Sequence, residues 1–273
     1  MKRLPDRLAA LNLKMMRTTL AAFIVLLSLA FSTQAQTRRP PYGLPAGAQV
    51  IEERALELKD GKKRSLVLWM LRPKRNPRET PGEPYTCPEE TRGSYYSGPA
   101  RVSLVDTAAG RVVNTVKIIE DDSEGADEVN IPYRIHAGSY YHVEGVAAGS
   151  EGRPTILWLK DFNGDGLAHE FTLFDAEACM GLRTALYGYS EKQDRVIQYP
   201  LSLETTDTDG KKATEVLNWV DYLFNERPAA PGLWKFEIDY RGRGGSLDRY
   251  EVRYNMQAER FEGTLTQTTD EQQ

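Results

Sequence analysis

The sequence predicts a mainly β fold, arranged as an antiparallel β-sandwich or a barrel-like domain. Short apolar runs recur at regular intervals, and turns rich in Gly and Asp separate them, which is typical of such folds. Aromatic residues make up 10% of the 273-residue chain, with 14 Tyr against 6 Met. This composition suits strands better than helices. The length accommodates one large β domain or two small ones.

Hairpins are the recurring unit of the prediction. Asp60-Gly61 lies between extended runs at 50–58 and 65–71, and Asp-Gly between such runs is a strong turn signal. We predict three further hairpins and a last edge strand. The hairpins pair 101–106 with 111–119, 184–189 with 195–203, and 232–240 with 247–254, and the edge strand covers 261–266.

Residues 214–224 are predicted to form the one short helix. Thr214 can cap the first turn. The apolar residues that follow fall near helical spacing, which favours an amphipathic helix. The β-propensity of Trp219, Val220 and Tyr222 argues for a strand instead.

The first 35 residues have the pattern of a signal peptide. Lys14 and Arg17 precede an apolar run at 20–31, and small residues follow at 32–35. This order of charged, apolar and small-residue regions predicts cleavage after export. A transmembrane anchor is the alternative, but the apolar run is shorter than the roughly 20 residues that a bilayer requires. We therefore expect a secreted or periplasmic protein.

The predicted domain organisation follows from that cleavage. Residues 36–48 are rich in Pro and Arg and are expected to form a flexible lead. Residues 49–268 are expected to form a single β-rich domain, with a split into two smaller units near residue 149 as the alternative. Residues 269–273 form a polar tail.

The charge of the mature chain limits its partners. Cleavage after residue 35 removes five of the 35 basic and one of the 39 acidic residues, which leaves a net charge of −8. Nucleic-acid binding needs a basic face, so we expect no nucleic-acid partner. The mature chain has no second long apolar run, so we expect no membrane span in it.

Two cysteines remain after cleavage, Cys87 and Cys179. An even number of cysteines in an oxidising compartment predicts one disulfide. Two buried, unpaired thiols are the alternative, because sequence spacing does not show proximity.

The segment at 161–170 carries the clearest functional pattern. Oxygen-bearing side chains alternate at Asp161, Asn163 and Asp165, and Gly164 and Gly166 permit the backbone to curl around them. Calcium requires six to eight oxygen ligands, and this spacing supplies several from one loop. A metal-free turn is the alternative, since hairpins use Asn-Gly and Asp-Gly without any ion.

This pattern resembles the DxDxDG class of calcium loops, which includes the EF-hand. Thr172 stands where an EF-hand has its bidentate Glu, and the flanks are predicted strands, including an apolar strand at 154–160. The closer resemblance is therefore to strand–loop–strand calcium loops of extracellular β proteins, with Glu170 completing the shell. The predicted calcium ligands are Asp161, Asn163, Asp165, the Leu167 carbonyl and Glu170.

Catalytic signatures are weak throughout the chain. His136, His142 and His169 lack zinc-site spacing. Gly188-Tyr-Ser190 begins like a nucleophile elbow, but Lys192 replaces the required Gly. We expect a non-enzymatic domain with a binding or structural role and an unknown protein or glycan ligand. The alternative is an exported hydrolase, acting on carbohydrate or ester, with a structural calcium ion.

The four tryptophans could stack on sugars if they were exposed. Each lies within an apolar run, so we predict that they pack in the core. They are Trp69, Trp158, Trp219 and Trp234.

Overall fold

The computed structural model describes residues 40–76, 95–119, 129–131, 135–136, 156–177, 181–225 and 227–269. Pro40–Gln273 forms one compact unit. The predicted signal peptide, the proposed split near 149, Cys87 and Cys179 all lie outside the described residues. The described residues include no helix that is both long enough and apolar enough to cross a membrane.

Strands dominate the described chain, and its only helical segments are two three-residue 3-10 turns. The strands are β1 (Ala48–Leu56), β2 (Arg64–Leu71), β3 (Lys74–Asn76), β4 (Tyr95–Gly98), β5 (Ala100–Asp106), β6 (Arg111–Ile118), β7 (Val129–Ile131), β8 (Ile135–His136), β9 (Glu170–Glu177), β10 (Gly181–Ser190), β11 (Arg195–Tyr199), β12 (Leu201–Thr206), β13 (Lys212–Leu217), β14 (Val220–Asp221), β15 (Leu233–Asp239), β16 (Leu247–Asn255) and β17 (Arg260–Thr268).

The strands form three main sheets and one small one. Sheet 1 has the order β1-β2-β5-β6, sheet 2 the order β11-β10-β9-β8 with β14 also paired to β10, and sheet 3 the order β13-β12-β17-β16-β15. The small sheet is β3-β4-β7. All pairs are antiparallel except β12 with β17. The mainly β, antiparallel sandwich-like fold predicted from the sequence is confirmed.

Strand β2 in the middle of sheet 1 is buried on both faces, because it is apolar at nearly every position. Leu66, Leu68 and Met70 face a core shared with sheet 2. Val67 and Trp69 face the opposite side, where Leu44 packs with them. In the described part of the predicted flexible lead, residues 40–48, Leu44 is buried against sheet 1 and Tyr42 packs beside it, whereas residues 45–47 are exposed.

Sheet 2 lies between the other two main sheets. Along β10, Ala185, Tyr187 and Tyr189 face the core with sheet 1, whereas Leu186 faces the core with sheet 3. The chain passes from sheet 2 to sheet 3 at Pro200, between β11 and β12. Pro lacks the N–H that a continuing ladder would use, so the strand ends there.

The helix predicted at 214–224 is wrong. Residues 212–217 form β13, which pairs with β12, and residues 220–221 form β14, which pairs with β10. Val216 and Val220 favour extended backbone and lie in these strands, whereas Tyr222 has a left-handed φ of 56°. Leu217 pairs with Leu201 and packs against the core of sheets 2 and 3, whereas Val216 is exposed.

Two strand predictions also need correction. β17 was expected at an edge, but it lies between β12 and β16. The strand expected at 154–160 is reduced in its described part to a single bridge at Lys160. The amides of Ile156 and Leu157 instead donate to the Glu52 carboxylate, at 2.6 and 3.2 Å, and so are not available to a ladder. The four predicted hairpins are confirmed, the third of them as far as Tyr199.

Candidate metal loop

The 161–170 loop is closed at its base by a two-residue antiparallel bridge. The Lys160 N–H donates to the Glu170 carbonyl at 2.8 Å, and the Glu170 N–H donates to the Lys160 carbonyl at 3.2 Å. Glu170 is also the first residue of β9. The loop is therefore fixed to sheet 2 at the residue expected to complete the metal shell.

Asp161 organises the first half of the loop. Its Oδ1 accepts the Gly164 N–H at 2.7 Å, and its Oδ2 accepts the Gly166 N–H at 2.9 Å. Both glycines have left-handed backbone, with φ of 81° and 87°. Gly adopts this region without the steric cost that other residues incur. The backbone therefore curls around the Asp161 carboxylate, as the sequence pattern predicts.

Asn163 and Asp165 continue the same curl. Asn163 Oδ1 accepts the Asp165 N–H at 2.9 Å, and Asp165 Oδ1 accepts the Leu167 N–H at 2.8 Å. The Asn163 Nδ2 then donates to Asp165 Oδ2 at 3.0 Å and to Glu170 Oε1 at 3.2 Å. The amide of Asn163 thus lies between two carboxylates and links them.

Glu170 has the most unusual environment in the loop. Its side chain is fully buried, at 0% exposure, and its Oε2 accepts the Phe162 N–H at 3.1 Å. The pKa of this carboxyl is raised to about 8, chiefly by burial and also by the charges of Asp165 and Asp161, while hydrogen bonds from Phe162 and Asn163 oppose the rise. Among the described residues, no Lys or Arg forms an ion pair with Glu170.

The charges of these carboxylates also raise the pKa values of two nearby tyrosines. Burial raises the pKa of Tyr199, and the negative charge of Glu170 adds to the effect. Burial likewise raises the pKa of Tyr254, with Glu259, Glu170 and Asp165 contributing. Tyr254 belongs to β16, so sheet 3 borders the loop.

The remaining predicted residues have other surroundings. The Leu167 N–H donates to Asp165, and its carbonyl stays a predicted ligand. His169 is buried, and its Nε2 is 3.1 Å from the Glu57 carbonyl oxygen. Within the described ranges, no three His, Cys, Asp or Glu side chains converge as a metal-holding group. The calcium site therefore stays a prediction.

The comparisons with known proteins gave no relative. No protein-family model, curated protein or solved structure matches the chain. What can be said of its function therefore rests on the geometry of its own residues.

Glu52 is the residue near the loop that sequence reasoning missed. It follows a bulge in β1, and its carboxylate accepts the two amides that precede the loop. Nothing in the sequence signals this role, because the partners lie more than 100 residues away. Glu52 fixes the direction in which the chain enters the loop.

The tryptophan prediction is confirmed at two positions and wrong at one. Trp69 and Trp234 are buried, and Trp219 is partly buried against the core of sheets 1 and 2. Trp158 is 50% exposed, and the Lys160 ammonium lies 4.2 Å from its ring centroid. Because the N–H groups of Ile156 and Leu157 donate to Glu52, this segment does not pair as a strand, and Trp158 is not held within a sheet.

Proposed function

We propose that the protein is an exported β domain with a binding or structural role, stabilised by a calcium ion in the 161–170 loop. Export follows from the signal-peptide pattern of residues 1–35. The ion would be held by the oxygens of Asp161, Asn163, Asp165 and Glu170, with the Leu167 carbonyl. Calcium would supply positive charge and would carry out no chemistry.

The buried carboxylate of Glu170 carries the proposal. A buried ionised carboxylate is costly unless a positive partner compensates it. Its donors, the Phe162 N–H and the Asn163 amide, are neutral, and the charges of Asp165 and Asp161 lie close enough to raise its pKa. A divalent cation held by Glu170 and Asp165, which the Asn163 amide already links, would compensate the buried charge.

The metal-free alternative also has a specific basis. The Asn163 amide already bridges Asp165 and Glu170, and a protonated Glu170 would need no cation. In that case the loop is a hydrogen-bonded turn of structural value only. The two hypotheses differ in what a neutral replacement of Glu170 does. If the loop binds calcium, the replacement should abolish the stabilisation by calcium. If the loop is a metal-free turn, calcium should have no effect on either protein.

The test is Glu170→Gln, melted in calcium and in excess chelator. In chelator we expect the variant to melt at or above the wild-type temperature, because Gln carries no charge at a position where burial disfavours the ionised carboxylate. In calcium it should lack the increase that the wild type shows. Extracellular modules of this kind bind calcium with Kd of about 10⁻⁴ to 10⁻³ M, so millimolar calcium is needed.

Asp207→Asn is the matched control. Asp207 accepts the Asp209 and Lys211 amides in a comparable turn, at 3.0 and 2.8 Å. Its replacement should leave the calcium response unchanged. A wild-type melting temperature that is the same in calcium and chelator, with no heat in a calcium titration, would refute the metal site.

The exposed ring of Trp158 supports the binding role. A half-exposed Trp beside the loop offers an apolar face to a protein or glycan ligand. Export is tested separately by sequencing the amino terminus of the mature protein, which we expect to begin at Gln36. A mature chain that retains residues 1–35 would contradict it.

A further inference from the structure

The 161–170 loop makes a tight backbone contact with the segment that leads into β15. A Cβ added to Gly164 would lie 2.6 Å from both the Gly232 nitrogen and the Pro231 carbonyl carbon. A Cβ added to Gly232 would overlap the Asn163 carbonyl oxygen. Both glycines have left-handed φ, at 81° and 65°. Two backbones can approach this closely only because neither carries a side chain.

The segment on the far side of this contact is fixed to sheet 3. The Gly232 carbonyl accepts the Tyr254 N–H at 2.8 Å, which joins it to β16. Leu233 follows directly and begins β15. A shift of Gly232 therefore displaces the backbone of two strands of sheet 3.

A side-chain contact from the same loop reaches the core of sheet 3. Phe162 packs edge-to-face against Phe224, with ring centroids 5.9 Å apart. Phe224 makes the same kind of contact with Trp234 at 5.4 Å and Phe261 at 5.3 Å. Phe162 directly precedes Asn163, so a change in the loop's curl moves its ring as well.

We propose that this joint, formed by Asn163–Gly164 against Pro231–Gly232 and by Phe162 against Phe224, couples the calcium loop to sheet 3. The inference rests on the proposed calcium site. Loss of the ion loosens β15, β16 and β17 as well as the strand that carries Glu170. The loop base belongs to sheet 2, so one ion stabilises two sheets across their shared boundary.

Hydrogen exchange of the purified mature protein, read by mass spectrometry, tests the coupling. At free calcium ten times Kd, every amide whose opening requires release of the ion should exchange about elevenfold more slowly than in chelator. We expect this slowing in β9 and β10 and equally in β15, β16 and β17.

Gly232→Ala should separate the calcium response of β9 and β10 from that of β15, β16 and β17. The added methyl group overlaps the Asn163 carbonyl oxygen, so the joint opens while the oxygens of the loop remain. Slowing should persist in β9 and β10 and disappear from β15 to β17. Gly244→Ala is the control, because Gly244 lies between β15 and β16 with φ of 79° and nothing within 4 Å of an added Cβ.

The outcomes separate the two proposals. No calcium-dependent slowing anywhere in the wild type overturns the calcium site and the coupling with it. Slowing in β9 and β10 alone leaves the site standing and overturns the coupling. Retained slowing of β15 to β17 in Gly232→Ala also overturns the coupling. If Gly232→Ala does not fold, the wild-type profile and Phe162→Ala, which removes the ring contact, decide the question.

Discussion

Asn163→Asp should convert the 161–170 loop into one that depends strongly on calcium. The change removes the amide that donates to Glu170 at 3.2 Å and to Asp165 at 3.0 Å. It also places a third carboxylate between those two. In chelator the variant should therefore be less stable than the wild type, and in calcium it should recover most of the loss.

The size of the loss follows from the burial of the two acceptors. Glu170 is fully buried, so removing its donor leaves a buried acceptor unsatisfied, which costs about 1–3 kcal/mol. Asp165 is exposed, so its bond contributes about 1 kcal/mol or less. Together they give about 3 kcal/mol, which corresponds to a fall of roughly 6–12 °C in melting temperature for a domain of this size.

Thermal melting in calcium and in chelator measures the effect, with Asn255→Asp as the matched control. Asn255 also donates its amide to a carboxylate, Glu262 at 3.0 Å, and its Oδ1 also accepts backbone amides at a turn. Asn255→Asp should lower the melting temperature by the same amount in calcium as in chelator. If Asn163→Asp behaves like the control, with no recovery in calcium, then the loop does not bind calcium.

Two further predictions concern parts of the fold that need no metal. Hydrogen bonds from Arg64 lower the pKa of Asp194 to about 2. Because the pKa of Asp194 is lower in the folded than in the unfolded state, its ionised form stabilises the fold. This contribution to the free energy of unfolding is complete above the unfolded pKa of about 4 and is lost as the pH falls towards 2. With the Asp194 side chain 31% exposed, we expect a loss of about 1–2 kcal/mol in urea unfolding between pH 4 and pH 2, and a clearly smaller loss in Arg64→Met. An equal loss in both proteins would contradict the assignment. Gly188→Ala should cost about 2–3 kcal/mol, because its Cβ would lie 2.8 Å from the Cα of Glu170, whereas Gly242→Ala, with open space around it, should cost little.

The sequence was sufficient for the elements whose signals are local. Asp60-Gly61 marks its hairpin because the turn needs a residue with positive φ, and Gly61 has a φ of 76°. The spacing of Asp161, Asn163 and Asp165 likewise predicts the curl of the loop, because the glycines between and after them can adopt positive φ. In each case the residues that determine the structure lie within a few positions of one another.

Long-range pairing could not be predicted in this way. The parallel pairing of β12 with β17 joins Leu201 to Phe261, and no short pattern encodes such a partner. The same limit applies to Glu52, which accepts amides from 104 and 105 residues away. The helix predicted at 214–224 does not form because β13 pairs with β12 and β14 pairs with β10, and apolar spacing along the segment does not reveal these distant partners.

The central position of β17 has a consequence for the order in which the molecule can fold. β17 follows every other described strand along the chain, yet it lies between β12 and β16. Until it is synthesised, β12–β13 and β15–β16 remain separate hairpins, each with an unpaired strand edge that invites association with other chains. A protein shortened before Arg260 would therefore lose the middle of sheet 3 and not merely its rim.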